Sequence, residues 1–341
     1  MLCECLELLD AVYELGVSLL LHATQAHPVR FVGLSSSLSD PADLAAWLNV
    51  DPLALYSFRP GDRDQALAVA THTFTIPQSA ALFKAMAKPA HAAIRATAGE
   101  PALVFVPSRS QCAPVALDLI TQCALEMLAQ GYLPDGVSVE RLERYLARLQ
   151  DYDGLKDFIT RGVGFFHDGI AKVDRLLMLE LYAEGLVRVL IVPRDACWAL
   201  PVRAPTVVVM GTQYVYVPPG SDERQLRDYP LEEVVRMQGK AVRHGGAGRF
   251  YLLCQAEGKD TITRFLNDGL PLESKLLETD TLRSWYKDRR KDGIIAGKQQ
   301  AVDVLSFTFL ARRLVSNPAY YDARSTAVNE LLSRIVDKLE A

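Results

Sequence analysis

No stretch of the 341-residue chain reaches the roughly eighteen consecutive apolar residues that a membrane-spanning helix needs, and the longest run near the N-terminus is 17–21. A secretory leader is not expected either, because Glu4, Glu7 and Asp10 stand where such a leader is positive. Cysteine is sparse. Cys3, Cys5, Cys112, Cys123, Cys197 and Cys254 form no C-x-x-C pair and have no histidine at zinc-ligand spacing, so they read as reduced, mostly core thiols of an intracellular protein. Charge of one sign is lacking as well. With 37 Lys and Arg against 41 Asp and Glu the net charge is −4, so the global balance demands no nucleic-acid partner and any basic track must be local. Internal repeats and low-complexity tracts are absent. What remains is apolar: 50% of the residues are hydrophobic, enough to bury a large core divided among two or three domains of a soluble protein.

Strand-like and helix-like segments alternate along most of the chain. Residues 6–25 carry apolar positions at helical spacing and end at Pro28. A short strand is expected over 29–34, feeding Ser35, Ser36 and Ser37, after which Asp40 and Pro41 open a helix as cap and first-turn residue. A polar, Pro- and Gly-bearing stretch at 49–64 marks the first domain boundary. Beyond it the spacing predicts a strand from Ala66, a helix over 79–96, a strand over 102–107 ending in Ser108, Arg109 and Ser110, and a helix over 113–131. Residues 138–162 read as helical. A strand-to-turn junction follows at 165–169 with His167, then a helix at 174–184 and strands at 188–192 and 206–210. This alternation predicts a mostly parallel sheet with helices on both faces. Residues 211–229, with Tyr214, Tyr216 and a Pro-Pro-Gly tip, suit a projecting β-hairpin, and after Pro271 the chain reads as helical to its end.

The stretch EEVVRMQGKAVRHGGAGRFYLLC (232–254) reads as a helix, a glycine turn and a buried strand. Its turn places Lys240, Arg243, His244 and Arg249 around a tight bend that suits an anion. The alternative is a surface helix whose cations pair with Glu232 and Glu233.

RMQGKAVR (236–243) resembles the last signature motif of superfamily-two helicases, Q-x-x-G-R-x-G-R, with Gly239 and Arg243 matching and Arg236 and Lys240 standing for Gln and Arg. Further blocks align in order: VRFVGLSSSLSDPADLAAWLNV (29–50), ALVFVPSRSQC (102–112), FFHDGIAKVDR (165–175), GLVRVLIVPRDACWALPVRAPTVVVMGTQ (185–213) and LPLESKL (270–276). Together they resemble the large spliceosomal RNA helicases of the DExH type that carry two tandem cassettes, and more closely the degenerate C-terminal cassette. The resemblance implies an α/β fold of RecA-like, P-loop-NTPase-type parallel-sheet domains followed by a helical winged-helix part. Residues 1–62 would be the C-terminal part of a first RecA-like domain, 63–275 a second one and 276–341 an incomplete winged-helix domain. It also implies nucleotide contacts at Asp195, Lys240 and Arg243, and RNA contacts at Ser108, Arg109 and His167. Each has an alternative reading: a satisfied core histidine at His167, a capped helix start at Ser108, an ordinary exposed turn for the hairpin.

The departures from the family pattern bear on activity. The hydrolytic D-E-x-H motif falls on Glu4, Cys5, Leu6 and Glu7 and lacks the carboxylate that orients the attacking water, and the phosphate-binding loop is expected upstream of Met1. GIIAGKQ (293–299) is one residue short of that loop and ends in Gln, and GLSSS (33–37) lacks the last glycine of a nucleophile elbow. The chain is therefore expected not to hydrolyse ATP alone, with ATP and magnesium contact weak or lost. The implied role is a regulatory and protein-binding platform in the nucleus, with other spliceosomal proteins, an active helicase cassette and RNA as partners and no membrane. The alternatives are a working ATP-dependent RNA helicase when joined to upstream sequence, and an interaction module without nucleotide.

Overall fold

A computed structural model describes residues 7–27, 29–97, 99–150, 154–218, 220, 222–278, 280–323 and 327–340. The chain divides into two compact units, Met1–Asp62 with Phe265–Ala341, and Arg63–Arg264.

The first unit opens with β1 (Glu7–Leu9) and α1 (Ala11–Ala23), whose cap Asp10 accepts from the Tyr13 amide at 2.9 Å. Buried Ala11, Glu14, Leu15, Ser18 and Leu21 recur at helical spacing along α1, so its inward stripe includes a carboxyl group. The strand expected over 29–34 does not form among the described residues. Val29, Val32 and Leu34 are exposed, and no neighbouring strand is there to bury them. The following helix, α2 (Pro41–Trp47), has proline in its first turn as expected. Asp40 makes no side-chain cap, because its carboxylate receives Arg313 at 2.9 Å instead.

The second unit contains β2 (Leu67–Phe74), α3 (Ser79–Arg95), β3 (Ala102–Val106), α4 (Cys112–Leu125), α5 (Val139–Leu146), α6 (Gly154–Ile159), β4 (Val163–Phe165) and α7 (Lys172–Ala183). It continues through β5 (Val189–Pro193), β6 (Thr206–Met210), β7 (Gln213–Tyr216), β8 (Gln225–Asp228), α8 (Leu231–Gln238) and β9 (Gly248–Gln255), and α9 (Lys259–Asp268) leads out of it. Six of these strands form one parallel sheet in the order β2-β9-β6-β3-β5-β4. Strands β3, β5 and β6 are buried at every position, which is why they read as unbroken apolar runs rather than alternating ones. The chain runs from β3 out to β4, back to β5, and then across β3 to β6. In such a sheet the carboxyl ends beside the reversal are where ligand sites are built. The hairpin expected between 211 and 229 is the antiparallel pair β7 and β8, with Gln213 opposite Asp228.

The chain then completes the first unit with β10 (Leu272–Ser274), α10 (Thr281–Lys291), α11 (Lys298–Leu305), α12 (Phe309–Ser316) and α13 (Val328–Glu340). The region after Pro271 is thus not wholly helical, because β10 pairs in parallel with β1. Leu15 of α1 shares a core with Leu282 and Tyr286 of α10, Leu310 of α12 and Leu332 of α13.

Two buried polar knots tie this unit. Arg313, 7% exposed, donates to Glu273 at 3.0 Å and also engages Asp43, while Asn317 and Tyr321 donate to the same Glu273 carboxylate at 2.7 and 2.9 Å. Burial pushes the Asp43 carboxyl up, but hydrogen bonds from Ser316, Arg313 and Arg312 outweigh that and hold it below its ordinary value. Glu14, wholly buried, accepts from Ser274 Oγ at 2.7 Å and from the Leu310 amide at 2.8 Å at the start of α12. Burial pushes Glu14 up to about 7 against those hydrogen bonds.

Candidate functional site

Six segments leave the carboxyl edge of the large parallel sheet, and three of them carry the expected RNA contacts and Asp195. Ser108 follows β3 in extended backbone, and its hydroxyl lies 2.8 Å from that of Ser110. It makes no side-chain cap to the short helix that follows, so the hydroxyl pair is not a helix cap. Arg109 is exposed, with Nη1 4.0 Å from Asp168 Oδ1. Both partners are open to water, so that pair contributes little and leaves the guanidinium available.

His167 follows β4 and is 8% exposed. Its Nδ1 is buried without a hydrogen-bond partner among the described residues. Burial lowers its pKa, Arg109 and Arg175 lower it further, and Asp168 and Asp195 act the other way. The ring is therefore neutral at neutral pH, with one nitrogen still seeking a partner. Gly169 permits this approach: a Cβ there would lie 3.1 Å from His167 Nδ1 and 3.4 Å from Arg109 Nη1. Asp195 follows β5, and its charge is felt at His167 and also at Cys112, whose thiol burial and Asp195 push up to about 12. Ser108, Arg109, His167 and Asp195 thus share one edge.

Lys240 and Arg243 lie at the other end of the sheet. The α8 helix runs from Glu233, whose carboxylate receives Arg194 Nη1 at 2.6 and 2.7 Å, to its cap Gly239. Lys240 follows Glu233 by seven residues, about 10 Å of helical rise, and that length separates the Arg194 pair from Lys240. Lys240 Nζ donates to the Leu200 carbonyl at 2.6 Å. Burial and then the neighbouring Arg236 and Arg203 lower its pKa. Arg243 donates through Nε and Nη2 to Glu100 at 3.1 and 3.0 Å, so its acid is Glu100, which precedes β3, and not Glu232 or Glu233. Arg249 donates to the Ala96 carbonyl at 3.1 Å. Lys240, Arg243 and Arg249, three of the four residues expected to cradle an anion around the glycine turn, are therefore each drawn to a protein acceptor, while His244 is exposed, and Asp195 is not grouped with them. Arg236, standing where the motif has Gln, stacks over Trp198 with the guanidinium carbon 3.9 Å from the ring centroid. Trp198 is 46% exposed.

The remaining motif positions belong to the first unit. Ser35 donates to the Ser36 carbonyl at 2.9 Å and Ser37 to the Phe58 carbonyl at 2.7 Å. Leu38 bridges to Leu270 in parallel, an approach that depends on Gly269 at φ +88, whose Cβ would come within 2.9 Å of the Leu38 carbonyl carbon. Glu4 and Cys5 lie outside the described residues. Sequence reasoning missed Glu100 as the acid of Arg243 and missed the buried Glu14, whose one signal was a carboxylate on the apolar stripe of a helix.

A six-stranded parallel sheet wrapped by helices, with a helical C-terminal region, defines a RecA-like α/β domain joined to a winged-helix domain. Residues 290–341 match the family model described as a winged helix-turn-helix domain. The chain is 34% identical over 316 residues to the human U5 small nuclear ribonucleoprotein 200 kDa helicase, an alignment covering 92% of this chain and 14% of that protein. It is 32% identical over 326 residues to the DExH-box ATP-dependent RNA helicase DExH12 of Arabidopsis thaliana, covering 92% and 15%. With the human activating signal cointegrator 1 complex subunit 3 the identity is 33% over 317 residues, covering 91% and 14%. Over more than nine tenths of its length the chain is thus similar to large helicases of the DExH type. It spans about one seventh of the length of the relatives it matches.

Proposed function

We propose that the chain is a helicase-like cassette of a pre-mRNA splicing RNA helicase that does not hydrolyse ATP on its own and serves in the nucleus as a regulatory and protein-binding platform with residual RNA contact. In this reading 63–275 is its second RecA-like domain and 276–341 belongs to its winged-helix part. The observation that carries the reading is the engagement of both candidate phosphate cations. Lys240 is held by the Leu200 carbonyl and Arg243 by the Glu100 carboxylate. Phosphoryl transfer is positioning plus electrostatics, and cations already engaged by acceptors of their own domain must give up those partners before supplying either. The residues of this unit therefore do not fit an ATP phosphate site.

The carboxyl edge fits a nucleic-acid backbone better. Its hydroxyls at Ser108 and Ser110, the water-exposed guanidinium of Arg109 and the unpartnered Nδ1 of neutral His167 are the donor and acceptor types that position phosphates and riboses. In this reading other spliceosomal proteins and an active helicase cassette are the docking partners.

Radiolabelled ATP turnover with single-stranded RNA as stimulus tests the hydrolytic part, with no turnover above background expected. A rate abolished by Arg243→Ala overturns it. Fluorescence anisotropy with labelled single-stranded RNA tests the edge: Arg109→Ala is expected to weaken binding and flatten its salt dependence by about one unit of slope. The assembled edge also favours a second reading, an active ATP-dependent RNA helicase once upstream sequence is joined. An in-frame Gly-Lys-Thr loop in the coding DNA before Met1 would select it.

A further inference from the structure

We infer that the outer face of α4, with the turn that follows it, is a docking groove for an amphipathic helix of a partner protein that carries a carboxylate beside its apolar face. The inference deepens the platform reading and rests on it for the existence of a partner.

Helix α4 is apolar on two sides. Cys112, Val115, Ala116, Leu119 and Cys123 face the core, while Leu117 is 57% exposed on the other side and Leu125 is 73% exposed at the end. Asp118 is the one charged residue in the helix. The water-facing side thus mixes Leu117 and Leu125 with Asp118, Thr121 and Gln122, so exposed apolar surface there lies beside polar groups. Where α4 ends, Ile120, Ala124, Met127, Leu128, Gly131 and Arg161 line a groove of about 310 Å³. Met127 is 92% exposed and held at φ 57, a backbone conformation that a long side chain rarely adopts.

The groove is built rather than accidental. The Leu128 amide donates to the Cys123 carbonyl at 2.9 Å, the Gly131 amide to the Leu128 carbonyl at 3.0 Å, and the Tyr132 amide to the Arg161 carbonyl at 2.8 Å. The crossing is so close that a Cβ on Gly131 would lie 2.9 Å from the Arg161 carbonyl oxygen. At the rim the Arg161 guanidinium donates to the Ala129 carbonyl, and among the described residues no acid pairs with it. Its remaining donors thus present an uncompensated positive charge beside apolar surface, which selects a carboxylate flanked by apolar anchors. One cation in an apolar groove is the wrong composition for a nucleic-acid backbone, which needs several.

The test uses the full chain and a fluorescein-labelled synthetic helical peptide of about sixteen residues, with leucines at i, i+3, i+4 and i+7 and a flanking glutamate, read by anisotropy. Saturable binding is expected, weakened about tenfold when the peptide glutamate is replaced by lysine or when Arg161→Glu is introduced. The Arg161→Glu chain is expected to recover binding to the lysine peptide. Ala124→Arg, at an exposed position, should weaken binding about tenfold while leaving the circular-dichroism melt and RNA affinity unchanged. Absence of saturable binding, or equal binding of the two peptides by the unsubstituted chain, overturns the inference; that comparison stands even if Arg161→Glu does not fold. Sedimentation velocity that finds a dimer dissolved by Ala124→Arg also overturns it, since the occupant would then be a second copy. These failures differ from that of the platform reading, which falls on Arg243-dependent ATP turnover.

Discussion

Glu14 makes the stability of the first unit depend on pH in the direction opposite to an ordinary ion-paired carboxylate. Its side chain is wholly buried, with Ser274 Oγ, the Leu310 amide and the Phe309 amide as hydrogen-bond partners. Tyr321 and Glu273 stand behind Ser274, with the Tyr321 hydroxyl accepting from the Ser274 amide at 2.8 Å and donating to Glu273 at 2.9 Å. Burial outweighs these bonds and raises the pKa from 4.5 to about 7. Because the folded state holds the proton more tightly than the unfolded chain, the stabilisation is complete below the unfolded value of 4.5. It declines as pH rises and is lost once pH passes about 7. A shift of that size corresponds to about 3 kcal/mol between the two limits. The substitution Glu14→Gln removes the titration while keeping the shape. Guanidinium unfolding should be followed in a Trp198→Phe background, so that Trp47 and Trp285, both in the first unit, are the reporters. The stability difference between the parent chain and its Glu14→Gln variant should change by about 3 kcal/mol from pH 4.5 to pH 8, in favour of the variant at the alkaline end. A difference that stays constant over that range would refute the reasoning.

Arg313→Leu should cost about 3–5 kcal/mol in the same unfolding assay, because Glu273 and Asp43, 1% and 6% exposed, would be left as buried charges without their cation. Gly162→Ala should cost about 2–3 kcal/mol, since the residue holds φ +74 and a Cβ would lie 2.5 Å from the Leu133 nitrogen; a melting temperature matching the parent chain would contradict the geometry. Lowering the pH from about 7.5 to 6.5 should leave RNA affinity unchanged at fixed salt, because burial and Arg109 hold His167 below its ordinary 6.5. Binding that strengthens within that window would mean the ring is charged at the edge.

Much of the large sheet was legible in the sequence because a parallel strand buried on both faces must be apolar throughout. LVFV (103–106), VLIV (189–192) and VVVM (207–210) are such runs, short and bounded by turn residues, and each is a strand buried along its length. The segment VRFVGL (29–34), apolar at four of its six positions but broken by Arg30 and Gly33, forms no ladder. Strand character belongs to a pair, and nothing local specifies whether the partner is present. Long-range pairing hid β10 for the same reason: LES (272–274) has no strand pattern of its own and is extended because it lies beside Glu7, Leu8 and Leu9. The carboxyl-edge residues were legible because each directly follows an apolar strand, where the fold itself brings them together.

The amino-edge cations were legible as a motif and illegible as a site. Their spacing along 236–243 is local, but whether a cation is free for a ligand is settled by its acceptors, and Glu100 lies 143 residues away from Arg243. The two edges of the sheet therefore differ in kind. At the carboxyl edge Arg109 meets a carboxylate only at 4.0 Å in water, where solvent screens the pair. At the amino edge Arg243 meets one at 3.0 Å with both side chains only about a third exposed, and Lys240 is capped by a carbonyl. A phosphate arriving there must displace an internal partner before it gains anything, whereas one arriving at the carboxyl edge displaces water. That asymmetry, rather than the substituted letters of the motif, is what supports the proposed reading, in which nucleic-acid contact is retained at one end of the sheet and nucleotide contact is lost at the other.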